Sequence, residues 1–203
     1  ELTALQFDTA DIASLGKDWQ LEANFEQLAL ESWSGAPGLS SAKGFAKLST
    51  GGGSIVLDSQ QFSMSFPSVY REPLYFDDFS GTVYVGWDKD AVILSSDLIT
   101  ARGVEGTVSA LFGLTIPLQA SALGVEMDLL VGLEDTYPIH RVKYLPYILN
   151  DGLLSWLGGS IGEGHIEDGA FLWRGSLRKQ ASAARTVQLF FNVDSTRLKY
   201  HAD

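Results

Sequence analysis

The chain has 203 residues, a formal net charge of −11 and no cysteine. This charge excludes nucleic acid as a partner, because a polyanion would be repelled by most of the surface. The missing thiols exclude disulfides, thiolate metal sites and cysteine nucleophiles. With 45% hydrophobic and 19% charged residues, the composition is typical of a folded domain. No apolar run reaches the roughly 18 residues that span a bilayer, and the start at Glu1 instead of a methionine indicates a piece of a longer protein.

Alternation of apolar and polar side chains dominates the chain and predicts a mainly β protein. In chain order, strands are predicted around residues 19–26, 62–66, 83–87, 91–94, 104–118, 125–133 and 187–193. The turn Asp88–Asp90 joins two of these runs into a hairpin. The glycine-rich stretches 34–44 and 49–54 are interpreted as connectors. We therefore expect a single β-rich segment over 1–203, with strands and hairpins in 1–143, a helical insertion in 144–163 and returning strands in 164–203.

The most regular alternation lies in the middle of the chain and predicts two long paired strands. Each has one apolar side, formed by Val104, Val108, Ala110, Phe112, Leu114, Ile116 and Leu118 in the first and by Val125, Met127, Leu129 and Val131 in the second. The first run is either one strand or two strands joined at a bulge near Gly113.

The segment 145–161 breaks this pattern, because its apolar residues recur at helical spacing. It predicts one kinked helix or two short ones, ended by the glycines of "LGGSIG" at 157–162. That stretch also matches G-x-S-x-G, the turn that presents a nucleophilic serine in hydrolases. A nucleophile turn follows a strand and precedes a helix, whereas Ser160 follows a helix, so we interpret the glycines as a helix end.

The remaining chemistry-bearing residues do not predict a catalytic or metal site. Carboxylates pair at predicted turns and strand ends, where acidic residues commonly maintain solubility. The pairs are Asp77/Asp78, Asp88/Asp90, Glu134/Asp135 and Glu167/Asp168. The three histidines are far apart and form no metal-binding motif. We predict no catalytic residue, no metal and no cofactor, although a carboxylate pair that processes carbohydrate stays open.

The predicted strands must bury their apolar sides, and the predicted helices are too few to cover them. Two arrangements satisfy this requirement. In a β-sandwich two sheets cover each other, which periodicity alone favours, and the domain would then be structural or carbohydrate-binding. In a curved sheet the inner side stays open to acyl chains.

The run from Tyr144 to Leu177 resembles the YhdP family of the AsmA-like superfamily. The matching positions are Tyr144, Leu145, Pro146, Trp156, Leu157, Gly164, Gly175 and Leu177. Upstream segments are similar through Trp19, Pro37, Gly38 and Gly44, and through Phe66, Pro67, Pro73, Leu74, Gly81 and Trp87. After Gly175 the chain lacks the Pro-Phe strand that is usual in the family.

The resemblance implies a long, twisted antiparallel sheet curved into a groove, as in AsmA-like proteins. It further implies a large envelope protein of Gram-negative bacteria, anchored in the inner membrane and extending across the periplasm, with phospholipid acyl chains as its cargo. Neighbouring segments of the same chain, and envelope proteins, would be its partners. The resemblance brings no catalytic residues, and the anchor would lie outside this segment.

Overall fold

The computed structural model describes residues 2–9, 18–32, 37–67, 70–140, 147, 152, 154–155, 159, 164–178 and 185–195. The strands are β1 (Leu2–Thr9), β2 (Trp19–Leu30), β3 (Gly38–Ser49), β4 (Gly52–Ser65), β5 (Leu74–Trp87), β6 (Ala91–Ser96), β7 (Ile99–Gly103), β8 (Gly106–Pro117), β9 (Glu126–Thr136), β10 (His165–Ser176) and β11 (Thr186–Asp194). A short 3-10 turn covers Pro138–His140.

All eleven described strands belong to one antiparallel sheet, in which sequence neighbours pair except for β6 and β7. The order is β1-β2-β3-β4-β5-β6-β8-β9-β10-β11, and β7 pairs with β5 and β8. The short strands β6 and β7 lie end to end between β5 and β8, and each pairs with both of them. The prediction of a mainly β fold with long antiparallel strands is confirmed, and the described strands form no second sheet that would complete a sandwich.

The predicted hairpins are confirmed, with small differences at the strand ends. β8 and β9 pair, and β8 runs through Gly113 without a bulge. β5 and β6 flank the turn Asp88–Asp90. Val104, Leu118 and Val125 lie just outside the strands. Val104 occupies the turn between β7 and β8 and is 87% exposed, so apolar character at a strand end does not place a residue within it.

The interpretation of the glycine-rich stretch 34–44 as a connector is wrong for its second half. Gly38 begins β3, a strand of twelve residues. Its small residues have a packing reason, because a Cβ on Gly44 would lie 2.0 Å from the Val56 carbonyl oxygen and 2.9 Å from Phe25. A side chain there is excluded by the neighbouring strands, which removes the alternation by which strands are recognised.

The sheet has one consistently apolar side, here called the apolar face, which carries Val85, Leu94, Leu114 and Met127. The other side is called the outer face. Along each strand the two sides alternate, as the pleat requires. On β9, for example, Met127 and Leu129 are half-buried while Glu126 and Asp128 on the outer face are exposed.

A line of backbone irregularities, here called the crease, crosses the sheet. Gln27, Ser41, Gln61 and Asp135 all have φ between 50° and 57°, a left-handed conformation that non-glycine residues rarely adopt. The pairing registers of β2, β3 and β10 shift at the same level. Because bulges bend and twist a strand, their alignment across neighbouring strands bends the sheet along one line.

The tightest packing lies beside the crease. The buried cluster consists of Phe25, Ala42, Leu57, Phe62, Leu74, Phe76, Phe79, Ile99 and Ala101. Phe62 is 1% exposed, and its ring centroid lies 4.2 Å from that of Phe79. This core comes from strands β2 to β5 and β7 of a single sheet, so the bend itself supplies the second wall that a flat sheet lacks.

The connection between β9 and β10 contains helix, as predicted for the insertion. Gly152, Leu154, Ser155 and Gly159 are helical, and the Tyr147 hydroxyl donates to the Pro67 carbonyl oxygen at 2.7 Å. This bond ties the insertion to the β4–β5 connection. The family positions Tyr144, Leu145, Pro146, Trp156 and Leu157, like Ser160, lie outside the described residues.

Candidate functional site

The apolar face forms continuous rows of side chains that run across the strands. The longest described row passes through directly paired residues of eight strands, namely Leu21, Leu48, Gly53, Val85, Leu94, Leu114, Met127 and Gly175. A second row runs through Ile99, Ala110, Val131, Phe171 and Leu189. A third runs through Phe112, Leu129, Trp173 and Val187. The described strand residues in these rows carry no charge.

The apolar face is only partly covered by protein. Phe112, Leu129 and Trp173 are half-buried, and toward the sheet edge Val187 and Leu189 are 41% and 40% exposed. The apolar rows therefore border solvent instead of a sealed interior.

Trp19 on β2 and Trp87 on β5 contact each other on the apolar face. Their ring centroids lie 6.2 Å apart with nearly parallel planes, whereas strands three places apart in a sheet are separated by about 14 Å. The two indoles therefore extend toward each other over the β3–β4 turn, where Gly51–Gly53 provide no side chains.

The strand ends differ in what surrounds the apolar face. At the end that contains the turn Asp88–Asp90, here called the turn end, Ser176 closes β10 and is fully buried. Its hydroxyl donates to the Leu123 carbonyl oxygen and accepts from the Arg178 amide at 3.0 Å. At the opposite end lie the crease, the core and the β9–β10 insertion.

The sequence-predicted groove residues are brought together on this face. Val108, Ala110, Phe112, Leu114 and Ile116 of β8 lie opposite residues of the apolar side of β9 or β6. Whether they contact a lipid stays a prediction. Sequence reasoning missed the contributions of β3, β6 and β10 to the same rows. In β3 the small residues remove the alternation, and for all three strands the register that aligns them is not visible in the sequence.

Carboxylates of three of the predicted pairs accept hydrogen bonds from neighbouring residues. The Asp88 carboxylate accepts the Asp90 and Ala91 amides at 2.7 and 2.9 Å, and these hydrogen bonds lower its pKa below the usual value. Asp77 accepts from Gln61 at 3.0 Å, while Glu167 and Asp168 both accept from Asn192. Each of these contacts stabilises a turn, the crease or a strand pair.

The described residues hold no group of three or more histidine and acidic side chains suited to a metal ion. His165 Nε2 lies 2.7 Å from Asp135 Oδ1, and the Tyr137 ring packs beside the imidazole at 5.1 Å. This is an isolated pair at the crease. Within the described part of the chain, no helix is long and apolar enough to cross a membrane.

Comparison with protein families gives a match over essentially the whole chain. The model described as YhdP protein matches residues 3–203, and so spans the apolar face and both edge strands. Neither the curated proteins nor the solved structures yielded a match.

Proposed function

This chain belongs to the YhdP family, and we propose that it is a non-enzymatic segment of a periplasmic bridge that conducts phospholipid toward the outer membrane. The YhdP family is a family of envelope proteins. The bridge would be anchored in the inner membrane by a part of the protein outside this segment, and its activity would support the barrier function of the outer membrane.

The observation that supports the proposal is the uncharged apolar face, which is partly exposed to solvent at Val187 and Leu189. Removing one methylene from water contributes about 0.8 kcal/mol, so a lipid tail gains free energy on such a surface without polar recognition. A contiguous exposed apolar patch commonly marks a binding site. The half-buried rows through Phe112 and Leu114 supply further apolar area.

Movement along the face requires neighbouring positions of similar energy. The rows through β6, β8 and β9 meet this condition, because each step between these strands replaces one aliphatic or aromatic side chain with another. No charged side chain of the described strands interrupts them. A lipid tail therefore meets no position of much stronger binding and no polar barrier, while its headgroup stays in water.

The edge strands favour continuation of the face into neighbouring segments of the same long chain. β1 and β11 each pair on one side only among the described strands, and the free side of an edge strand readily pairs with another strand. The apolar rows reach β11 at Val187 and Leu189. A further strand beside β11 would extend them.

The test is lipid binding by the 203-residue protein, purified without detergent and measured by native mass spectrometry. We expect co-purified phospholipid. Leu129→Gln on the apolar face should lower lipid occupancy about fivefold, from the loss of roughly half a leucine transfer free energy. The matched control is Leu130→Gln on the outer face, which should leave occupancy unchanged. Lipid-free wild-type protein, or equal losses in both variants, would contradict the proposal.

A further inference from the structure

A cationic side chain, Arg185, lies beside the apolar face at its turn end. Arg185 immediately precedes β11, and its guanidinium carbon lies 6.0 Å from the centroid of the Trp173 ring. Trp173 belongs to the apolar rows, since it pairs with Leu129 and Val187. In a chain of net charge −11, this places a positive group at the rim of a surface that is otherwise uncharged.

Two contacts with the protein hold the Arg185 guanidinium in place. Arg185 Nε donates to the Ser176 carbonyl oxygen at 2.9 Å, and the Trp173 ring attracts the cation. Ser176 itself is fully buried and is fixed by its bond to Leu123. An arginine has five N–H donors in a rigid fork. Among the described residues this arrangement uses the Nε donor, and the two terminal nitrogens can donate to a further acceptor.

The described residues provide no carboxylate partner for Arg185. Their ion pairs join Lys43 to Glu26, Lys47 to Glu22, Lys89 to Asp90, His165 to Asp135 and Arg174 to Asp128. Arg178, the other arginine near Ser176, differs in its bonding. Its Nη1 atom donates to the Ser121 carbonyl oxygen at 3.0 Å, so it ties down the β8–β9 connection.

We propose that Arg185 binds the phosphate of a lipid whose tails lie on the apolar face. A terminal guanidinium edge matches two oxygens of a phosphate, and the adjacent Trp173, Leu129 and Val187 contact the hydrocarbon. The inference rests on the proposed function, and adds to it a defined position for the headgroup, at Arg185.

The first experiment is competition between dioleoylphosphatidylglycerol and dioleoylglycerol, which share their acyl chains and differ in the phosphodiester headgroup. The 203-residue protein should prefer the phospholipid about three- to tenfold, as expected for a charge-assisted contact near the surface. Arg185→Gln should abolish this preference while dioleoylglycerol binding stays unchanged. Arg185→Lys should keep part of it, and the control Arg178→Gln all of it. An undiminished preference in Arg185→Gln would overturn the proposal.

The second experiment distinguishes a lipid headgroup from free phosphate and does not depend on tail binding. Inorganic phosphate is titrated into labelled protein while the Arg185 Nε–H signal is followed by NMR. A shift at millimolar phosphate that is absent for Arg178 supports an anion site even if neither lipid binds, in which case only the proposed transport function fails. No shift together with no phospholipid preference overturns the site.

Discussion

Truncating two phenylalanines of this sheet should have unequal effects on stability, and the difference tests whether the apolar face is open. Phe62 lies in the core beside the crease at 1% exposure and stacks on Phe79. Phe112 lies on β8 in the middle of the apolar face and is half-buried. The changes Phe62→Ala and Phe112→Ala remove the same atoms.

The expected free energies follow from the two surroundings. Phe62→Ala leaves a closed cavity and removes an aromatic pair, so it should lower the free energy of unfolding by about 3–5 kcal/mol. Phe112→Ala removes a half-buried ring from a surface that solvent reaches. Its ring also packs against the edge of the core cluster, so the loss should be smaller than for Phe62 but still on the order of 2 kcal/mol.

The assay is urea unfolding of the delipidated 203-residue protein, followed by tryptophan fluorescence. Lipid must be removed, because a ligand that binds only the native state raises apparent stability. Comparable slopes of free energy against urea concentration ensure that the variants unfold between similar states. A loss above about 3 kcal/mol for Phe112→Ala would show that its ring is sealed in a second packing layer, and would refute the open face.

Three further outcomes are expected. Gly44→Ala should prevent folding or strongly destabilise the sheet, because its Cβ would lie 2.0 Å from the Val56 carbonyl oxygen. Gly113→Ala should fold normally, because the atom nearest to its Cβ would lie 4.0 Å away. Equal melting temperatures of the two variants would contradict this prediction. Asp88→Ala should destabilise the protein at neutral pH, because the folded-state pKa of Asp88 is lowered. The difference in unfolding free energy between variant and wild type, measured in urea, should shrink as the pH falls through that pKa. A pH-independent difference would contradict this prediction. Lys47→Gln should raise the pKa of Glu22, which the 2.7 Å contact with Lys47 Nζ lowers, and an unchanged carboxyl titration by NMR would show that this pair does not form.

The sequence predicted those strands whose side chains alternate strictly. β8 and β9 were recognisable because valine, leucine and phenylalanine recur at every second position. β3 was not, since its core position Ala42 and the glycine at 44 replace large apolar side chains where neighbouring strands come close. The small residues of β3 allow the strands to pack closely, but their composition is similar to that of a turn.

The crease was also beyond prediction from the sequence. Left-handed residues are usually recognised as glycine or asparagine, and here Gln27, Ser41 and Gln61 hold that conformation. Only the register between strands shows that these positions align. The candidate site depended on the same information, because a row across eight strands combines residues that are far apart in the chain. Periodicity indicated an apolar side for each strand. The pairing between strands shows that these sides form one face of the sheet.

The most direct test of the central claim is photo-crosslinking of lipid in Gram-negative cells. A benzophenone side chain at Phe112 faces the apolar side, and the same group at the adjacent Leu111, which is 40% exposed, faces the outer side. We predict phospholipid adducts at Phe112 and none at Leu111. Adducts at neither position, or equally at both, would contradict the claim that the apolar face holds lipid tails.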